Sequence, residues 1–190
     1  MKAYKLLSQD KTSHGGCKWE LNEWKETSGE GELCSEGWLH FYESPLLAVL
    51  HNPVHANIQN PRLFEVEIAE DAKIKKDGTM KFGATKARIT KEIPLPEISD
   101  VQRIAYGILC AKNVYKDKKW NKWADKWLSG EDRSSAASYA AAYYAAHSAA
   151  ESAYWAAHSA ADAANSAADA ANSAADLDLL AIAQKAMEIK

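Results

Sequence analysis

The residues best placed to do chemistry fall in four short stretches of a 190-residue sequence. The sharpest is TSHGG at residues 12–16. Paired glycines let a backbone approach a ligand closely, and an imidazole can donate, accept or shuttle a proton near neutrality. Ser13, His14, Gly15 and Gly16 are therefore the candidate ligand-binding set, with a tight turn and a capping histidine as the plainer account. In the second stretch, GWLHFY at 37–42, His40 and Tyr42 are two apart and share one face of an aromatic strand. In the third, RLFEVEI at 62–68, Glu65 and Glu67 share the face opposite Phe64, Val66 and Ile68. Two carboxylates on one face can do acid–base work, and an exposed polar face explains them equally. His14, His40, Tyr42, Glu65 and Glu67 are the catalytic candidates.

The fourth stretch is basic and aromatic. Lys112, Lys116, Lys118, Lys119, Lys122 and Lys126 surround Trp120 and Trp123. That mixture can bind single-stranded nucleic acid. The tryptophans recur at core-facing helical spacing, however, so the expectation is a solvated lysine face over a buried aromatic one. His51 and His55 are four apart, a metal-like spacing on a helix, but Pro53 lies between them and no third ligand is evident. No metal and no cofactor is expected. The chain has no P-loop, dinucleotide fingerprint, nucleophile elbow or CxxC pair.

These residues need a scaffold. Residues 2–7, 17–24, 38–42, 62–68 and 84–93 read as strands, and a short helix over 45–50 starts at Ser44–Pro45 and ends near Asn52–Pro53. Ser99 and Gln102 have the spacing of a capping box ahead of Val101, Ile104, Ala105, Ile108 and Leu109. A second amphipathic helix carries Trp120, Trp123, Ala124, Trp127 and Leu128, with Gly130 as its C′ residue. Strands precede helices, which predicts an α+β fold with a small, mainly antiparallel sheet. The expected organisation is an α+β head over 1–98, two amphipathic helices over 99–130 packed on it, and a helical tail over 131–190.

The tail is defined by alanine. Residues 134–175 hold 22 alanines in 42 positions, with repeats of seven (SAADAAN) and eleven (YYAAHSAAESA, YWAAHSAADAA). Both periods are helical. As one helix, 134–190 would run about 85 Å, far longer than a head of this size, so a hairpin or a projecting dimerising helix is expected. Ala149, Ala153, Ala156, Ala160, Ala163 and Ala167 form the methyl face of that interface, and Leu177 and Leu180 anchor its end. A homodimer or a host protein is the expected partner.

Charge excludes some partners. Residues 1–130 carry 20 basic and 18 acidic groups, and residues 131–190 carry 3 and 8, for a net −3. There is no overall drive toward nucleic acid or anionic membrane. No apolar run reaches the length of a membrane span, and the first residues lack a signal-peptide core, so a cytoplasmic protein is expected. Three widely spaced cysteines (Cys17, Cys34, Cys110) read as reduced thiols.

The opening MKAYKLL, the SHGG of 13–16, the Trp19 segment and the Cys34–x–x–Gly37 step resemble a group of small phage, prophage and bacterial proteins. That group opens Met-(Lys/Arg)-Ala-(Tyr/Phe)-Lys, carries Ser-Cys-His-Gly-Gly and Cys-x-x-Gly-(Phe/Tyr)-His, and often ends in alanine-rich repeats. Here Ser13 directly precedes His14, and one extra residue separates Gly37 from His40. The resemblance implies a phage setting and supplies no activity. The order of an aromatic strand, a short helix and RLFEVEI also looks like the middle of ADP-ribosyltransferase-like domains, with His40, Tyr42 and Glu65 or Glu67 at the nicotinamide site. The leading expectation is a non-enzymatic binding protein, an inhibitor of a host defence or metabolic machine. An ADP-ribosyltransferase-like or nucleotide-binding domain is the first alternative and a structural scaffold the second.

Overall fold

In a computed structural model that describes residues 2–78, 81–114, 118–133 and 177–190, the chain divides into two units, Met1–Glu97 and Ile98–Lys190. The fold is α+β: antiparallel strands come first and helices follow. The alanine-rich tract, with Ala149, Ala153, Ala156, Ala160, Ala163 and Ala167, lies outside the described residues, as does Lys116.

The first unit holds two antiparallel sheets. One has the order β1 (Lys2–Leu7), β4 (Arg62–Ile68), β7 (Lys86–Ile93), β2 (Lys25–Glu26). The other has the order β3 (Leu39–Phe41), β6 (Lys81–Ala84), β5 (Ile74–Asp77). In β4 the alternation is clean enough to fix register: Lys5 faces Phe64, and Ala3 faces Val66. A shift between Glu65 and Val66 re-aims the β4–β7 pairing, so that Val66 meets Ile89 and Ile68 meets Ala87. These inward residues join Trp19, Phe41 and Phe82 in one core. Trp19 meets Phe41 edge-on, with centroids 6.1 Å apart, and Phe41 meets Phe82 at 5.8 Å. Such pairs each add about 0.5–1.5 kcal/mol beyond burial.

Three expectations need correction. Residues 17–24 form no strand; they make isolated bridges at Lys18 and Leu21. Trp19 is fully buried, but Leu21 is 49 % exposed and Trp24 lies against the Arg88 guanidinium, 4.6 Å from its ring. The alternation there mixes one core residue with two surface ones. Second, the strand expected over 84–93 divides: Ala84 ends β6 and β7 begins at Lys86, with the mostly charged β5 preceding both. Third, α1 runs Pro45–His55, five residues past the expected end, with Pro53 inside its last turn. Its earlier turns are held by buried Leu47, Ala48, Leu50 and His51, which outweighs the one amide that proline lacks. Ser44 caps the helix, accepting from Leu46 N at 3.2 Å.

In the second unit, α2 (Asp100–Val114) opens on a complete capping box. Gln102 N donates to Ser99 Oγ at 3.2 Å and Ser99 N to Gln102 Oε1 at 2.9 Å. The same amide's Nε2 donates to Met187 O at 2.9 Å, tying α2 to α4 (Leu179–Met187). Ala105 and Ile108 of α2 and Ala183 and Ala186 of α4 are buried. Asp178 caps α4 through Ala181 N at 3.0 Å. In α3 (Lys118–Ser129) the buried face holds Ala124 and Trp127, with Trp120 and Trp123 half-buried and 5.9 Å apart. Lys118, Lys119 and Lys122 lie exposed. Gly130, at φ 82°, ends α3 in the left-handed region. Leu177 and Leu180 are half-buried. No described helix is long and apolar enough to cross a membrane.

Candidate functional site

The first unit brings most of the chemistry-bearing residues around one strand, β3. Beside it, β1 and β3 meet at a single bridge, in which Tyr4 N donates to Tyr42 O at 2.8 Å and Tyr42 N to Tyr4 O at 3.0 Å. One residue further along β1, the Lys5 ammonium donates to His40 O at 2.9 Å. Lys5 is 9 % exposed, and its Nζ lies 5.2 Å from the Trp19 ring centroid and 5.1 Å from that of Phe41. Burial holds its amine down to about 8, opposed by the nearby Cys17 thiol.

Residues 13–17 form an exposed turn near this point. Ser13 N donates to Cys17 O at 2.9 Å, Gly16 N to Ser13 O at 3.0 Å, and Thr12 bridges Lys18. Gly15 and Gly16 have φ of 86° and 83°, which only glycine adopts freely. Trp19 Nε1 donates to Ser13 Oγ at 3.4 Å and links the turn to the core.

The other side of β3 carries a polar aromatic cluster. The β3–β6 register pairs His40 with Gly83 and Phe41 with Phe82. Tyr42 Oη hydrogen-bonds His55 Nδ1 at 2.6 Å, and the two rings stack with 6.0 Å between centroids. His51 completes the group, 6.0 Å from Tyr42 and 5.2 Å from His55, measured between centroids. Burial raises the Tyr42 hydroxyl. Burial and the Lys81 charge lower His51 to about 4 and His55 to about 3. His40 is lowered too, first by burial and then by Lys5, Lys81 and His14, while the carbonyl of Leu33 at its Nε2 works the other way. Lys81 Nζ reaches Cys34 Sγ at 3.2 Å.

The sequence candidates are thus partly assembled. His40, Tyr42, His51 and His55 gather around β3, while His14 is exposed on the 13–17 turn. Glu65 and Glu67 do not join them: they pair across to Tyr4 and Lys2, so β1 lies between them and Tyr42. Glu67 is bound there by Arg88, Nη2 to Oε2 at 2.7 Å. His51 and His55 do share one helix, yet among the described residues no three His, Cys, Asp or Glu side chains converge to hold a metal. Lys5 and Lys81 were missed. Lys5 left a signal in KAYKLL, where Ala3, Lys5 and Leu7 share one parity and so point one way. Lys81 left none, because β6 itself was not recognised.

A family model described as a domain of unknown function (DUF7666) matches residues 1–101, which include the whole of the first unit. No curated protein and no solved structure matches the chain.

Proposed function

The chain belongs to the DUF7666 family through residues 1–101, and from that premise we propose that it is a non-enzymatic binding protein whose recognition site surrounds β3. The observation that carries this reading is the state of the Tyr42–His51–His55 cluster. General acid–base catalysis works best with groups that titrate near the working pH. Burial drives Tyr42 up and both histidines down, away from neutrality, so at pH 7 all three have fixed protonation. Fixed donors and acceptors suit recognition.

The phage setting implied by the resemblance makes a host defence or metabolic machine the intended target. Residues 131–190 would add self-association. The alternative of ADP-ribosyl transfer requires a carboxylate beside His40 and Tyr42; Glu67 is held by Arg88 instead, and Glu65 is separated from Tyr42 by Tyr4 on the strand between them.

Capture from host cells tests the binding reading. The full chain is expected to retain a specific partner, and His14→Glu, a change at an exposed turn, to lose it. Incubation with labelled NAD and lysate tests the alternative. Transfer of label that Tyr42→Phe abolishes would overturn the non-enzymatic reading.

A further inference from the structure

Lys81 and Cys34 are far apart in sequence and adjacent in space, with Lys81 Nζ donating to Cys34 Sγ at 3.2 Å. Backbone structure positions both ends. Lys81 opens β6, where it pairs with Asp77 of β5, and the next residue, Phe82, pairs with Phe41 of β3. Cys34 sits in the 28–38 loop on a turn in which Ser35 N donates to Glu32 O at 3.0 Å. Its neighbour Leu33 is buried, and a Cβ added to Gly83 would lie 2.5 Å from Leu33 Cδ1, so the loop packs directly on β6. The Leu33 carbonyl also meets His40 Nε2. The carboxylates of Glu32 and Glu43 go to other amines, Lys75 at 3.1 Å and Lys76 at 2.7 Å.

The three cysteines differ in what surrounds the sulfur. Cys110 is half-buried on α2, and burial pushes its thiol up to about 12. Cys17 is exposed, and its Sγ meets the carbonyl oxygen of Lys18 at 3.9 Å. Cys34 is exposed as well, so an oxidant in solution reaches it, and its sulfur meets an amine. Their separation falls within the range of about 3–3.5 Å at which two atoms are placed to react.

We propose that Cys34 and Lys81 form a redox modification site, in which hydrogen peroxide oxidises the thiol and the amine captures the product as a sulfur–nitrogen bridge. This goes beyond the binding reading and does not depend on it. In the first step the Cys34 sulfur attacks one peroxide oxygen and the O–O bond breaks. The thiol becomes a sulfenic acid, and the second peroxide oxygen leaves as water. Sulfenic acids condense with a nearby nitrogen. Lys81 reacts as the free amine, its ammonium proton having passed to solvent. Its lone pair forms the N–S bond as the S–O bond breaks, and the departing hydroxide takes an amine proton and leaves as water. The sum is a two-electron oxidation: one thiol, one amine and one peroxide give one sulfenamide and two waters. A small thiol reverses it by attacking the sulfur and releasing the amine. The bridge ties the 28–38 loop to β6, next to β3.

The test treats the full chain with hydrogen peroxide, with and without dimedone as a sulfenic acid trap, and maps its peptides by mass after digestion without reductant. The peptides holding Cys34 and Lys81 are expected to be joined, two hydrogen atoms lighter than their sum, and to separate on addition of dithiothreitol. Lys81→Arg keeps the positive charge and removes the amine. It is expected to abolish the bridge and to raise dimedone labelling of Cys34 several-fold. Cys34→Ser should remove bridge and label together. Labelled or further oxidised Cys34 with no joined peptides would overturn the proposal. So would equal labelling in the wild type and Lys81→Arg, a bridge that forms as readily from Cys17, or Cys34 recovered in a disulfide with a second chain. A joined pair that retains an oxygen atom would overturn the sulfur–nitrogen bond. The wild-type peptide map decides the matter even where a variant fails to fold.

Discussion

The Tyr42 hydroxyl and His55 Nδ1 are 2.6 Å apart, with their rings stacked at an interplanar angle of 15°. This contact fastens the end of β3 to the last residue of α1. Protonation of His55 would place a charge in a buried site beside the positive Lys81. The unfolded chain takes up protons on His51 and His55 near pH 6.5, while the folded chain holds them off to about 4 and about 3. Between those values the unfolded state binds more protons, so stability falls as pH falls. Each histidine contributes about 1.4 kcal/mol per pH unit across its window. Urea unfolding at pH 7, 6, 5 and 4.5 should trace the decline, and His55→Gln should remove about half of its slope. A flat profile would show that the cluster is not buried in solution.

Lys5 predicts the opposite limb. Its amine ionises at 10.5 in the unfolded chain and about 8 in the folded one, because burial disfavours the charge. From pH 8 to 10.5 the unfolded state binds the extra proton, and stability rises with pH by up to about 3 kcal/mol before other groups intervene. The rise is expected in the wild type and absent in Lys5→Met, read by unfolding midpoints at pH 7.5, 9 and 10. Equal profiles for the two proteins would rule out an uncompensated ammonium at this position.

Two glycines should respond differently to alanine. Gly37 has an ordinary backbone, but a Cβ there would lie 2.0 Å from the Glu30 carbonyl oxygen, a backbone atom with no rotamer to change. Gly15 has open space around it and only its left-handed φ of 86° against a side chain. Gly37→Ala should therefore cost several kcal/mol, and Gly15→Ala about 1 kcal/mol. Thermal unfolding of both variants gives the ranking directly, and an inverted order would mean the 28–38 loop is packed otherwise.

The same contrast shows what the sequence could reveal. RLFEVEI announced β4 through strict alternation, and Ser99–Gln102 announced the start of α2 through side chains that cap the helix within four residues. Such signals are local. The β5–β6 pairing is not: Lys75 opposes Gly83, and neither residue advertises a strand. Trp19 looked like part of a strand, yet it is a loop residue drawn inward by Phe41 and Ser13. The histidines were visible as single residues. Their convergence depended on α1 continuing through Pro53, which local propensity opposes and burial of the helix favours. Lys5 shows the opposite failure: its inward parity was legible, but a charged residue is ordinarily assigned to the surface.

Self-association through the alanine-rich segment calls for an excision that spares α4. Truncation at Gly130 would also delete α4, and with it the Met187 carbonyl that receives Gln102 Nε2 and the Ala183 and Ala186 methyls buried in the second unit. Loss of assembly in such a protein could equally follow from a damaged α2. Replacing residues 136–175 by a short Gly-Ser linker keeps Arg133, Asp178 and α4, including the contact from Arg133 to the C-terminal carbonyl of Lys190. If the segment drives assembly, light scattering should give a multiple of the chain mass for the full protein and a single chain mass for the excised one. The unfolding midpoint of the excised protein should stay unchanged at low concentration. Ser99→Ala serves as the control, because loss of the cap lowers stability by about 1 kcal/mol without altering mass. Equal masses for the full and excised proteins would remove self-association from the proposed function.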